Sequence, residues 1–372
     1  MPHQTTSRLH RSTTALLVST ALLAGLAAAT LPASPALAAD KKACVPGKTK
    51  KIAFLMKQST AYRYLHADMP FFVRTAEAAG YKVITQSAEN DAMNQVSQAE
   101  NVITQGVDVI VINPVDFNVA ATIAKKAAAA GIPLASYNDL ILGAKHDAFI
   151  GRDNKEGGVV AANAMIKVVP KGNYALIGGD PGQTGATEMQ AGYHQVIDKS
   201  IKAGQIKVVL DQLAKGWKTE PAQAFAENAL TMTNNKVDAF LVSYDGESLG
   251  VMQAIKGAGL KAGSIPVTGQ DMELAAIQAI VEGRMFGSVW PAPDKMGESG
   301  AKAAIALARC EDIGANDTIN NGAAKLPWVK TPIYFVGAND IAEFVCKHPY
   351  WVDINEAYKN VPNKKPKCAA HP

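Results

Sequence analysis

The chain has 372 residues, 48% of them hydrophobic and 19% charged, with a formal net charge of +4 at pH 7. So even a balance gives no electrostatic basis for nucleic acid or an anionic surface as partner. The length exceeds what one hydrophobic core usually serves, so two domains are expected.

Residues 1–38 read as a secretory signal. Arg8 and Arg11 form a basic start, Thr14–Ala29 is an almost uncharged apolar run, and Ala36-Leu37-Ala38 is a small-x-small cleavage site. The apolar run is short and is followed by Pro32 and Pro35, which favours cleavage near Ala38 and export over a membrane anchor. Cys44 lies too far downstream to carry a lipid. Cleavage removes two arginines and no acid, so 37 − 2 = 35 bases face 33 acids and the exported chain carries +2.

Strands follow at regular intervals. Lys51–Met56, Lys82–Gln86, Val107–Asn113, Pro133–Tyr137 and Ala148–Ile150 make a first set. Tyr174–Gly178, Lys207–Gln212, Ala239–Ser243, Pro266–Gly269 and Gly287–Trp290 make a second. All are apolar and rich in Val and Ile, as strands covered on both faces are. Helix-length segments separate them, among them Met69–Ala79, Asn94–Gln105, Asn118–Ala130 and Gly246–Ala258. Gly80, Gly106 and Gly131 end three such segments, where glycine permits a left-handed cap. Alternation of β and α predicts parallel sheets with right-handed crossovers.

The pattern is doubled. VDVIVINP at 107–114 followed by IPLASYND at 132–139 has its counterpart in VDAFLVSY at 237–244 followed by IPVTGQDM at 265–272. The fold class expected is α/β, with two Rossmann-like lobes facing across a cleft and joined by a three-stranded hinge. The lobes are expected at 49–141 with 292–328 and at 142–291 with 329–360, leaving 361–372 as a tail. Crossovers are expected near Leu140–Lys145, Trp290–Asp294 and Lys325–Tyr334.

Cys44, Cys310, Cys346 and Cys368 all survive cleavage, and an even number in an exported chain favours disulfides over metal ligands. Three pairings exist; Cys310–Cys346 with Cys44–Cys368 is preferred. The polar tail from Asn355 frays unless Cys368 holds it.

In parallel α/β sheets ligands bind beyond the carboxyl ends of the strands. The residues there are Tyr62, Arg63 and Tyr64; Asn113 and Asp116; Tyr137, Asn138 and Asp139; Asp180 and Gln183; Trp217; Tyr244 and Asp245; Gln270 and Asp271; and Trp290. Aromatic rings mixed with carboxylates and amides suit a polyhydroxylated ring, whose C–H faces stack while its hydroxyls need polar partners. Structural roles compete at several positions. Asp116 reads better as a helix cap, Asp245 equally as cap or ligand residue, Asn113 as a turn, and Trp290 as core or cleft.

On these motifs, together with Gly-Asn-Tyr-Ala-Leu-Ile-Gly-Gly at 172–179, Lys-Gly-Trp at 215–217 and Gly-Gln-Asp at 269–271, the chain from Lys51 to about Val361 resembles periplasmic sugar-binding proteins of ABC importers. The likeness is to the ribose, galactose and xylose type, nearest its xylose-binding members. It implies Arg63, Trp217 and Asp271 as ligand residues, with Asn113 matching an asparagine of the ribose-type Asn-Pro motif. An Asp-Arg pair is Asn138-Asp139 in this chain, an Asn-Asp pair is Tyr244-Asp245, Gln183 remains from a polar pair, and Trp290 stands near a late lysine or glutamine. The cleft is therefore expected to have lost cations and gained aromatic surface. Implied partners are a small sugar or polyol, the permease and ATPase of the importer, and a chemoreceptor, in a periplasmic location.

The leading function is a receptor that closes on a small carbohydrate. The alternative keeps the receptor fold but binds a cationic or less hydroxylated molecule in an aromatic cleft. Enzymatic activity is not expected, because no nucleophile motif, Walker loop or dinucleotide fingerprint accompanies the strands. Neither a cofactor nor a metal is expected. A repressor would carry a helix-turn-helix where this chain carries its export signal.

Overall fold

The computed structural model describes residues 45–368, so the signal segment and Cys44 lie outside the described residues. β1 (Lys51–Met56), β2 (Lys82–Ser87), β3 (Val109–Ile112), β4 (Leu134–Tyr137) and β5 (Ala148–Arg152) come first. β6 (Gly172–Gly178), β7 (Ile206–Leu213), β8 (Ala239–Val242), β9 (Thr268–Gln270) and β10 (Gly287–Trp290) follow. β11 (Asp317–Asn320), β12 (Lys325–Thr331) and β13 (Tyr334–Gly337) complete the strands.

A seven-stranded sheet has the order β11-β12-β5-β4-β3-β1-β2. Two three-stranded sheets, β7-β6-β8 and β13-β10-β9, are linked by a parallel bridge between Phe240 and Val267. Within these sheets only the β11–β12 and β10–β13 pairs are antiparallel.

Burial on both faces explains the apolar strands. Ile52 and Phe54 of β1 pack into a cluster with Phe72, Met296 and Ala301. Ala53 and Leu55, pointing the other way, pack with Val96, Ile123 and Ala127. In β6, Tyr174 and Leu176 meet Met165 and Met189, while Ala175 and Ile177 meet Ala226 and Val251. Gly131 caps its helix at φ 72°, as the sequence implies.

Three differences from expectation have physical causes. β5 pairs with β4 and β12, so the chain leaves the first sheet only after Arg152, not near Leu140–Lys145, and the expected lobe division after residue 141 falls before that strand. β11 is exposed along most of its length and β12 has exposed Lys325 and Pro327, so neither forms an apolar run, and β13 begins on exposed Tyr334. The disulfide joins Cys346 to Cys368, with Cα atoms 5.3 Å apart, rather than Cys310 to Cys346. The tail doubles back over the helix Leu274–Glu282, with Asn360 donating to Glu282 at 2.7 Å and Lys364 to the Val281 carbonyl at 3.1 Å, which brings Cys368 to Cys346. Cys368 is thus not the partner of Cys44, and Cys310 is itself disulfide-bonded.

Among the described residues, no helix is long and apolar enough to cross a membrane.

Candidate functional site

Strand ends of both sheet systems converge on one cavity of roughly 250 Å³. The first sheet contributes Lys57, Arg63 and Tyr64 after β1, Asn138 and Asp139 after β4, and Arg152 at the end of β5. The second system contributes Trp217 after β7, Tyr244 after β8, and Gln270 and Asp271 around the end of β9. Gln58, Thr60, Ala61, Asn90, Gly216 and Lys218 complete the lining.

Two ionic clusters organise the walls. The Arg63 guanidinium donates from Nε and Nη2 to the two oxygens of buried Asp68, both at 2.8 Å, and reaches Asp271 from Nη1 at 3.4 Å. The Tyr137 hydroxyl donates to the same Asp68. Burial opposes the Arg63 charge, but Asp68 and Asp271 outweigh it and push its pKa well above the usual value.

Lys57 Nζ donates to Asp139 Oδ2 at 2.9 Å and to Gln183 Oε1. Gln183 Oε1 also accepts the Trp217 indole N–H at 2.8 Å, fixing the ring that faces the cavity. Asp139 accepts from Asn138 Nδ2 at 2.8 Å and from the Gly185 N–H at 3.0 Å. Burial pushes the Asp139 carboxyl up, yet Lys57 and Arg152 hold it below its ordinary range. Asn138 adopts φ 65°, a left-handed conformation that asparagine tolerates, and its side chain accepts from Arg152 Nη1. Tyr244 donates to Glu273 at 2.8 Å and stands edge-on to Trp217, centroids 6.3 Å apart.

Arg152 Nε and Gln270 Oε1 are buried with no partner in the protein, one donor and one acceptor among residues that line the cavity. Buried polar groups are rarely left so, and a hydroxylated ligand would complete them.

Of the residues expected from the strand ends, Arg63, Tyr64, Asn138, Asp139, Trp217, Tyr244, Gln270 and Asp271 line the cavity. Gln183 stands just behind it, between Lys57 and Trp217. Tyr62 instead donates to the Trp351 carbonyl at 2.9 Å and stacks on His66. Asn113 is fully buried at the end of β3, outside the lining. Asp245 is not a cap: its carboxylate accepts from Ser288 at 2.7 Å and from the Glu273 N–H at 2.8 Å. Trp290 is core, edge-on to Trp351 at 4.8 Å. Asp116 accepts from the N–H groups of Asn118 and Val119 at 2.8 Å, in the turn that leads into the helix Ala120–Ala130 rather than as its cap.

The expected loss of cations does not hold, because Lys57, Arg63, Arg152 and Lys218 all line the cavity. The guanidinium missing beside Asn138 is supplied from the neighbouring strand by Arg152. Lys57 directly follows β1 and Arg152 ends β5, so applying the strand-end rule to both would have found them. Among the described residues no cluster of His, Cys, Asp or Glu is arranged to hold a metal.

The profile of the periplasmic binding protein domain matches residues 52–312. The D-xylose-binding periplasmic protein of Escherichia coli K12 is 38% identical over 281 residues, covering 75% of this chain and 84% of its own length. A multiple sugar-binding periplasmic receptor of Rhizobium radiobacter is 29% identical over 321 residues, covering 81% and 88%. A solute-binding protein of an ABC transporter from Clostridium phytofermentans, solved with bound β-D-glucose, superposes with a TM-score of 0.77 at 25% identity, covering 82% of this chain and 99% of that one.

Proposed function

This chain belongs to the periplasmic binding protein family, and we propose that it is an exported receptor that closes on one small, uncharged carbohydrate ring. It delivers that ring to the permease and ATPase of an ABC importer. The observation that carries the reading is the charge balance of the cavity wall. Three buried cations in the wall, Lys57, Arg63 and Arg152, are matched by the buried carboxylates Asp139 and Asp271 in the wall and Asp68 behind Arg63. A cationic ligand would leave one buried charge uncompensated, whereas a neutral polyol draws hydrogen bonds from groups already paired. Trp217 and Tyr244 supply faces for its C–H groups. The volume lies below the roughly 300–1,000 Å³ of drug-sized pockets, which suits a single ring.

Sheet membership supports lobes at 49–152 with 292–331 and at 153–291 with 332–360. Ligand stabilises the closed arrangement because only there do Arg63, Asn138 and Arg152 of one lobe and Trp217 and Asp271 of the other touch it together. Export with cleavage near Ala38 places the receptor in the periplasm, as in its named relatives.

Mass spectrometry of the small molecule that copurifies with the exported protein tests this. A neutral monosaccharide or polyol is expected; an organic amine would overturn it.

A further inference from the structure

Asp245, Trp290 and Tyr62 all lie behind one short turn, Gln270–Glu273. The turn carries Asp271 into the cavity with φ 98° at Asp271 and 53° at Met272. Two consecutive non-glycine residues hold such angles only under constraint from their surroundings.

The constraints can be followed atom by atom. The Asp271 N–H donates to the Val289 carbonyl at 2.9 Å, and the Met272 N–H to Ser288 Oγ at 3.3 Å. Asp245 holds Ser288 and the Glu273 N–H. On the outer side the Met272 carbonyl accepts the Trp351 indole N–H at 2.6 Å. Trp351 is 1% exposed, and its own carbonyl accepts the Tyr62 hydroxyl. Tyr62 precedes Arg63, which returns to Asp271. The path from Asp271 through Met272, Trp351, Tyr62 and Arg63 closes on itself and joins the two sides of the cavity.

We propose that Trp351 is a positioning residue for ligand recognition. Its N–H fixes the Met272 carbonyl, and so the direction of the Asp271 carboxylate. Through Tyr62 it sets the same turn against the segment that bears Arg63, so both charged groups meet the ligand in one geometry. The proposal rests on the cavity being the carbohydrate site.

Trp351→Phe removes the donor and keeps a ring in the apolar site. Titrated with D-xylose and β-D-glucose, the variant is expected to bind about tenfold more weakly whichever sugar the wild type takes. Asp271→Asn should cost much less affinity in that background than in wild type, because the carboxylate is already misdirected. Without ligand, hydrogen–deuterium exchange across residues 270–274 should rise while β1 and β3 stay protected. Unchanged exchange there, or additive losses of affinity, overturns the proposal. If neither sugar binds wild type, the exchange experiment, which needs no ligand, decides the role of Trp351 by itself. If Trp351→Phe does not fold, Tyr62→Phe breaks the same path from the other side; unchanged exchange and affinity in that variant would equally overturn it.

Discussion

Lys57 holds its ammonium 2.9 Å from the Asp139 carboxylate, the two side chains being only 6% and 2% exposed. Lys57 follows β1 and Asp139 follows β4, while the other Asp139 oxygen accepts from Gly185 at the start of the helix Thr184–Lys202. The pair therefore ties the first sheet to the second lobe as well as lining the cavity. Lys57→Met takes the ion-pair partner from the buried Asp139 carboxylate and should cost about 3–5 kcal/mol. Combining it with Asp139→Asn should cost less than the sum of the two single changes. Urea unfolding of the four proteins measures this, and additive losses would contradict the coupling.

Trp217 is placed by contacts on two sides. Gln183 accepts its N–H, and Gly179 lies so close that a Cβ there would sit 2.1 Å from the ring atom Cε3. Trp217→Ala should weaken sugar binding by about 2 kcal/mol or more. Gly179→Ala, outside the lining, should weaken it too by displacing the indole, with a matching change in tryptophan emission. Affinity equal to wild type in Gly179→Ala would mean that the ring position is not critical.

Burial raises Glu188 and Glu273 from 4.5 to about 7. The folded protein then holds protons that the unfolded chain releases between those values. Their contribution to stability is therefore largest at acid pH, falls as pH rises through that window, and is constant above it. His146 and His348, which burial holds below their ordinary value, act with the opposite sign, so the informative quantity is a difference. The midpoint at about pH 5 minus that at about pH 8 should be smaller in Glu188→Gln and in Glu273→Gln than in wild type. An unchanged difference between the two pH values in both variants would contradict the assignment.

The Cys346–Cys368 bond spans 22 residues that include Trp351. Replacing both cysteines with serine should cost about 3 kcal/mol, by the chain-entropy relation, and expose the tail to protease. Equal denaturation midpoints for the variant and wild type would show that the tail is held without the bond.

Strand existence was legible because parallel strands covered on both faces must be apolar throughout; β1 and β10 match their expected limits residue for residue. β11 and β13 were not, since short strands with exposed positions lack that signature. In the cavity, Asn138, Asp139 and Asp271 were found because they directly follow recognised strands. Arg152 is harder to see because the apolar run stops at Ile150, two residues before the strand does. Trp290 and Asp245 show the limit of the rule: a strand end fixes a position along the chain, while the direction of the side chain is set by neighbours as remote as Trp351. Tyr62 was drawn away from the cavity by that same distant residue.

The most direct test is calorimetric titration of the protein with D-xylose, β-D-glucose and an organic amine, in wild type and Trp217→Ala. One sugar should bind wild type saturably with one site and bind Trp217→Ala far more weakly, with no heat from the amine. Binding of the amine with no heat from any sugar would contradict a receptor for an uncharged carbohydrate.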